Sequence, residues 1–236
     1  MKKKEFFFAY TIAHELKSPI ITIEGFLKAI LEDYGKEIPS GALEYLQHID
    51  QAIKKLKSII NDVLTLSQIS SEEQAEEFPL KDIIRDVILK MKPFIEQKKI
   101  KIEILNELPI LYGKKKQIWL LMLNLISNAV KYIGKRNPCP QIQIGTKLID
   151  GKQTVFIKDN GIGIDKDYKE KIFEIFQRSP NAKKEAEGTG VGLFVAKTIV
   201  EEHKGKIWVE PNPQKGCTFF VYIPKKRDES SQDSNN

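Results

Sequence analysis

Between residues 6 and 31, apolar side chains recur at Phe8, Ile12, Leu16, Ile20, Ile23, Leu27 and Ile30, in steps of three and four. That period lays them along one stripe of a helix about 30 residues long. The stripe breaks at Tyr34-Gly35-Lys36-Glu37-Ile38-Pro39-Ser40, and Ala42, Leu46, Ile49, Ile53, Leu56, Ile60, Val63 and Leu66 then repeat the same spacing, which predicts a second long helix running back. At 1.5 Å per residue each helix is about 45 Å long. A lone pair of such helices leaves half of each apolar face wet, so the expected state is a dimer closing a four-helix bundle; a hairpin packed on the rest of the chain is the alternative.

Residues 72–79 are polar and acidic up to Pro79 and read as a linker. Beyond it the period alternates. Helices are predicted over 80–98, 116–133 and 192–203, and strands over 100–104, 141–149, 154–158, 206–210 and 218–223. Helices on one side of a mixed sheet, an α/β sandwich, is the economical arrangement. The expected domains are 1–71, a helical hairpin, and 80–225, the α/β unit, with 226–236 a disordered polar tail.

The 236 residues are 41% hydrophobic and 30% charged, a globular composition that excludes disordered and fibrous classes. No run approaches the roughly 20 apolar residues of a membrane-spanning helix, and the apolar run at Phe6 to Tyr10 is too short for a signal-peptide core. The net charge of +6 comes from lysines interleaved with acids rather than stacked in a stripe, so nucleic acid is not the expected partner; phosphorylated ligands or acidic protein surfaces fit the charge as well. Cys139 and Cys217 stand in unrelated contexts, which fits a reducing compartment, the cytoplasm.

Eleven of the 14 glycines fall after residue 72. Two clusters stand out, because glycine is costly inside structure unless backbone must turn or approach a ligand. Asp159-Asn160-Gly161-Ile162-Gly163 follows a predicted strand, where a carboxylate can accept a hydrogen bond from an exocyclic amine; an ordinary turn is the plainer reading of that segment alone. Gly188-Thr189-Gly190-Val191-Gly192-Leu193 opens an apolar helix whose free N–H groups can bind phosphate oxygens. Its spacing is neither the dinucleotide fingerprint nor the P-loop. On the helix over 116–133, Asn124, Asn128, Lys131 and nearly Tyr132 share one side; amide oxygens suit a hydrated Mg²⁺ that carries phosphates, and lysine adds charge for them. In the first helix His14-Glu15-Leu16-Lys17-Ser18-Pro19 pairs an imidazole with a carboxylate just before a proline that takes away the N–H bond to the Glu15 carbonyl.

Together these segments resemble the catalytic core of a sensor histidine kinase of two-component signalling. His14 to Pro19 resembles the H-box, Asn124 to Tyr132 the N-box, Asp159 to Gly163 and Gly188 to Leu193 the two glycine boxes, and Phe173-Glu174-Ile175-Phe176 the F-box, in family order and spacing. The resemblance implies a dimerisation and phosphotransfer hairpin followed by a Bergerat (GHKL) ATPase domain. It implies ATP with Mg²⁺ held at Asn128, and nucleotide contacts from Asn124, Lys131, Tyr132, Asp159, Gly161, Gly163, Phe173, Phe176, Gly188, Thr189, Gly190, Gly192, Leu193 and Thr218. His14 is then the phosphoacceptor, Glu15 its acceptor or base, and Arg178, just after the F-box, a candidate for stabilising the moving phosphoryl group. Residues 177–187 read as a lid. The expected partners are a second copy and the receiver domain of a response regulator; an upstream sensor module is absent from these residues. Ser18 stands where the family usually has threonine or asparagine for phosphatase action on the regulator. The alternatives are a catalytically silent nucleotide-binding dimeric scaffold and, more remote, a chaperone- or topoisomerase-type ATPase.

Overall fold

The computed structural model describes the backbone of residues 2–69 and 73–225; the side chains of 1–12, 14, 62 and 65–69 are outside that description, as are residues 226–236, on which the tail expectation falls. The chain divides into two units, Met1–Ser71 and Glu72–Asn236.

In the first unit α1 (Lys2–Tyr34) runs unbroken through Pro19, and α2 (Ser40–Ile69) returns against it. The predicted stripe splits. Ile20 and Leu27 of α1, with Ala13 from outside the predicted stripe, are buried with Ile53 and Ile60 of α2, and Leu31, Leu46, Val63 and Leu64 pack on that cluster. The other series, Leu16, Ile23 and Ile30 on α1 with Ile49 and Leu56 on α2, stays exposed, as do Phe26 and Tyr45, 68% and 73% accessible. Lys57 reaches both carboxylate oxygens of Glu24 across the hairpin, at 2.8 and 2.7 Å.

In the second unit β1 (Glu76–Pro79) pairs antiparallel with β3 (Ile110–Gly113), so the second half of the expected 72–79 linker is a strand of this unit. Too short for a period to register, it needs its partner to exist. A five-stranded sheet runs in the order β2 (Lys101–Ile104), β4 (Gln141–Ile149), β5 (Lys152–Asp159), β7 (Cys217–Tyr222), β6 (Lys206–Pro211); β2 and β4 are parallel, the other pairs antiparallel. Helices α3 (Leu80–Gln97), α4 (Lys115–Lys131) and α6 (Gly192–Glu202) form the second layer, the α/β sandwich expected. Ile84, Val87, Ile118, Leu121, Leu125, Ile126, Ala196 and Ile199 from the helices are buried, as are Ile142, Ile144, Val155, Ile157, Phe219 and Val221 from the sheet. Each large side chain so buried contributes about 1.5–3 kcal/mol. Strand alternation turns Phe220 and Tyr222 to the opposite face. There Trp208 stacks on Phe220 at 5.1 Å, and the ammonium groups of Lys147, Lys152 and Lys206 sit 4.4, 4.9 and 5.4 Å over Phe220, Tyr222 and Trp208. Lysine stems thus shield a sheet face that, among the described residues, no helix of this unit covers.

His203 ties α6 to the start of α4. Its Nδ1 lies 2.8 Å from the Ile199 carbonyl, and its Nε2 accepts the Lys114 N–H at 3.1 Å. This is the neutral tautomer with the proton on Nδ1. Burial depresses its pKa, with Lys114 acting in the same direction, against the Ile199 carbonyl, Glu202 and Glu73. The unfolded chain therefore takes up a proton that the folded one refuses. Stability is full above about pH 6.5 and falls as pH drops from there towards the lowered native value. Urea titrations between pH 7.5 and 5.0 are expected to follow that fall, and a His203→Gln variant to lose this part of the slope.

Candidate functional site

Asp159 ends β5 on the face of Val155 and Ile157, so alternation points its carboxylate into the layer interface, where 5% of the residue is exposed. The Gly161 N–H donates to Oδ1 at 2.8 Å and the Cys217 thiol to Oδ2 at 3.2 Å. Burial pushes this carboxyl above the usual carboxylate range, and those two hydrogen bonds oppose the push. The Asp159 carbonyl accepts from Asn212 Nδ2 at 2.7 Å and lies against Gly216, whose φ of +82° and lack of a Cβ permit the approach. Gly161 packs on the Tyr132 carbonyl, which also accepts the Ile162 N–H at 3.0 Å, and Gly163 takes a φ of +76°. The glycine loop is thereby stitched to the end of α4.

On α4, Asn124, Asn128, Lys131 and, at its C-cap, Tyr132 are half-buried on one side, opposite a face buried from Ile118 to Val130. Asn124 Nδ2 donates to the Leu120 carbonyl at 2.9 Å, which orients Oδ1 towards Gly192; a Cβ there would lie 2.7 Å from that oxygen. The Lys131 ammonium fills the space beside Gly188. Sequence reasoning missed Lys98, whose Nζ donates to the carbonyls of Val130 and Lys131 at 2.9 and 3.0 Å and so caps this helix end. Desolvation lowers its pKa, partly offset by Glu185.

Phe173, expected beside a nucleotide, is instead buried in the core with its ring edge-on to Phe219 at 6.3 Å. Phe176 is exposed at a φ of +63°, its N–H donating to the Gly190 carbonyl at 3.1 Å. The expected lid contains a short helix, α5 (Pro180–Glu185), capped by Ser179, and Glu185 accepts the Lys135 N–H at 2.8 Å. Arg178 does not present its guanidinium to an open site. It donates to the carbonyls of Gly188 at 3.0 Å, Ala182 at 2.6 Å and Ala186, and to the Tyr132 hydroxyl at 3.4 Å, clasping the lid to the glycine segment. Gly190, at a φ of +82°, turns the chain into α6, where no side chain caps the first amides; Thr189 accepts the Val191 N–H at 3.4 Å and Leu193 is half-buried.

Thr218 lies on the other side of β7 from its neighbour Cys217 and donates to Asn212 Oδ1 at 2.7 Å. Cys217 is the residue at Asp159, and strand alternation was the signal: Phe219 and Val221 are core, which puts 217 on their face. In the other unit His14 lies within α1, its side chain outside the described residues, and Glu15 to Pro19 are exposed, with the Ser18 carbonyl accepting from Thr22 Oγ1 at 3.2 Å. Among the described residues no group of three histidine, cysteine or acidic side chains is placed to hold a metal ion, and no helix is long and apolar enough to cross a membrane.

The chain thus joins a helical hairpin that carries His14 to an α/β sandwich in which Asp159 and the glycine loop meet the end of α4. Residues 5–72 match the family described as His Kinase A (phospho-acceptor) domain, and 113–227 the family described as histidine kinase-, DNA gyrase B- and HSP90-like ATPase. The chain belongs to the sensor histidine kinases. It is 36% identical over 220 residues to cyanobacterial phytochrome B of Nostoc sp., covering 92% of this chain and 29% of that protein, so it spans under a third of that curated relative. The catalytic domain of histidine kinase ThkA is 30% identical, with a TM-score of 0.54 over 64% of this chain and 98% of that one. ThkA in complex with the response regulator protein TrrA matches 93% of this chain and 61% of that one at 26% identity and a TM-score of 0.60.

Proposed function

We propose that this chain binds ATP in the second unit, transfers the γ-phosphoryl group to His14 and passes it to an aspartate on a response regulator. The observation that carries the reading is adjacency: Gly161 lies between Asp159 and Tyr132, Gly188 lies beside Lys131, and Gly192 at the uncapped start of α6 lies beside Asn124. The adenine amine donates to Asp159. Lys131 and the amides of 188–192 take phosphate oxygens, as the positive end of α6 favours. The residues fit Mg²⁺: Asn128 and the oriented Asn124 Oδ1 are neutral oxygen donors of the kind a hydrated, phosphate-bound ion accepts, and the ion supplies charge neutralisation on the phosphates when bound. Arg178, engaged with lid carbonyls, acts as a positioning residue in this reading.

In the transfer, the lone pair of one His14 ring nitrogen forms the N–P bond as the bond from γ-phosphorus to its bridging oxygen breaks, and ADP leaves. Glu15 accepts from the other ring nitrogen, holding the tautomer whose attacking nitrogen is unprotonated. The exposed series Leu16, Ile23, Ile30, Ile49 and Leu56 supplies the seam for a second copy, and the chain acts in the cytoplasm. The Ser18 hydroxyl retains a donor for a phosphatase step on the regulator.

Incubation with γ-labelled ATP and Mg²⁺ tests this. Label on the protein that acid removes and base spares, and that migrates to an added receiver domain, is the expected result. A bound ATP analogue with no protein label in parallel would leave the silent dimeric scaffold.

A further inference from the structure

We propose that Cys217 is a positioning residue for base recognition, its thiol proton holding Oδ2 of Asp159 and setting the pH below which adenine nucleotides no longer bind. The proposal rests on Asp159 as the acceptor of the adenine amine.

The geometry leaves few other determinants. Both residues are 5% exposed, the thiol lies 3.2 Å from Oδ2, and Oδ1 is held by the Gly161 N–H at 2.8 Å. On the backbone side, Gly216 and Asn212 fix the Asp159 carbonyl, so the carboxylate has little freedom to turn. The groups acting on the carboxyl are burial, the Gly161 N–H, the Cys217 thiol and N–H, and its own backbone; among the described residues no charged side chain contributes. The thiol is itself pushed well above its ordinary range, by burial and then by Asp159, which favours the protonated, donating form. A thiol is a weak donor. The charged form of Asp159 is therefore held by backbone N–H groups and by the weak thiol donor against burial, which raises its carboxyl pKa. A protonated Asp159 presents a hydroxyl where the adenine amine needs an acceptor, so affinity falls as pH drops through the raised carboxyl pKa. Removing the thiol raises that pKa further, and binding fails at higher pH; a hydroxyl in its place restores a donor.

Calorimetric titration of the full chain with a non-hydrolysable ATP analogue from pH 5.0 to 8.5 tests this in wild type, Cys217→Ala and Cys217→Ser. The midpoint of the acid-side loss is expected to move up in Cys217→Ala and to return to or below the wild-type position in Cys217→Ser. The ¹³C carboxyl resonance of Asp159 in the nucleotide-free protein is expected to titrate in the same order. If both variants keep the wild-type midpoint, or lose affinity by one factor at all pH values with unshifted resonances, Cys217 is packing only and the proposal falls. If wild type binds the analogue at no pH, the nucleotide reading itself fails, while the carboxyl titrations still decide whether Cys217 tunes Asp159.

Discussion

His14→Gln is expected to abolish the acid-labile label from γ-labelled ATP, to below about 1% of wild type, with the affinity for an ATP analogue unchanged within twofold. Glutamine retains much of the bulk and helix propensity of the site, so α1 is kept. Its amide nitrogen has no lone pair free to attack phosphorus, and the step loses its nucleophile rather than part of its transition-state stabilisation. His14 lies in the first unit, Met1–Ser71, and the pocket in the second, Glu72–Asn236, so binding and acceptor chemistry are separable. Labelled protein after gel separation, with a titration of the analogue alongside, reads both quantities. Wild-type labelling of the variant would place the acceptor on another side chain.

Asp159→Asn is expected to weaken the ATP analogue about 100-fold while the fold survives. A hydrogen bond to a charged group is worth about 1.5–3 kcal/mol, and asparagine replaces an all-acceptor carboxylate with a group of which half is a donor. That donor faces either the thiol of Cys217 or the incoming amine, neither of which needs one. The side chain keeps its size, and loss of a carboxyl whose charged form burial opposes costs the fold little. Thermal melting within a few degrees of wild type and loss of calorimetric heat at micromolar nucleotide are the paired readouts. Binding of undiminished strength would move the base contact away from β5.

The hairpin helices were readable because a period of three and four over thirty residues has one physical solution, and the split of that stripe into a buried and an exposed series follows from the same spacing. The strands at 141–149 and 152–159 alternate as half-buried strands must. The two glycine clusters stand out in the sequence because they sit at element ends, after β5 and before α6, where consecutive residues carry the turn. Phe173 was misread, since an aromatic in a motif cannot announce whether it faces a ligand or Phe219. The partners of Arg178, the carbonyls of Ala182, Ala186 and Gly188, lie in and just beyond a helix six residues long, below what a period can reveal.

Order along the chain, helix and strand periods, and the residue types near a phosphate or an amine are local properties, and a single chain carries them without folding. Which partner meets which residue is not local. Cys217 reaches Asp159 only because β7 lies beside β5, Lys98 caps α4 from the far end of α3, and His203 accepts from Lys114 across two helices. Those pairings depend on which elements become neighbours and on the direction each side chain takes when they pack. Burial, which moves the Asp159, Cys217 and His203 pKa values, exists only once they have.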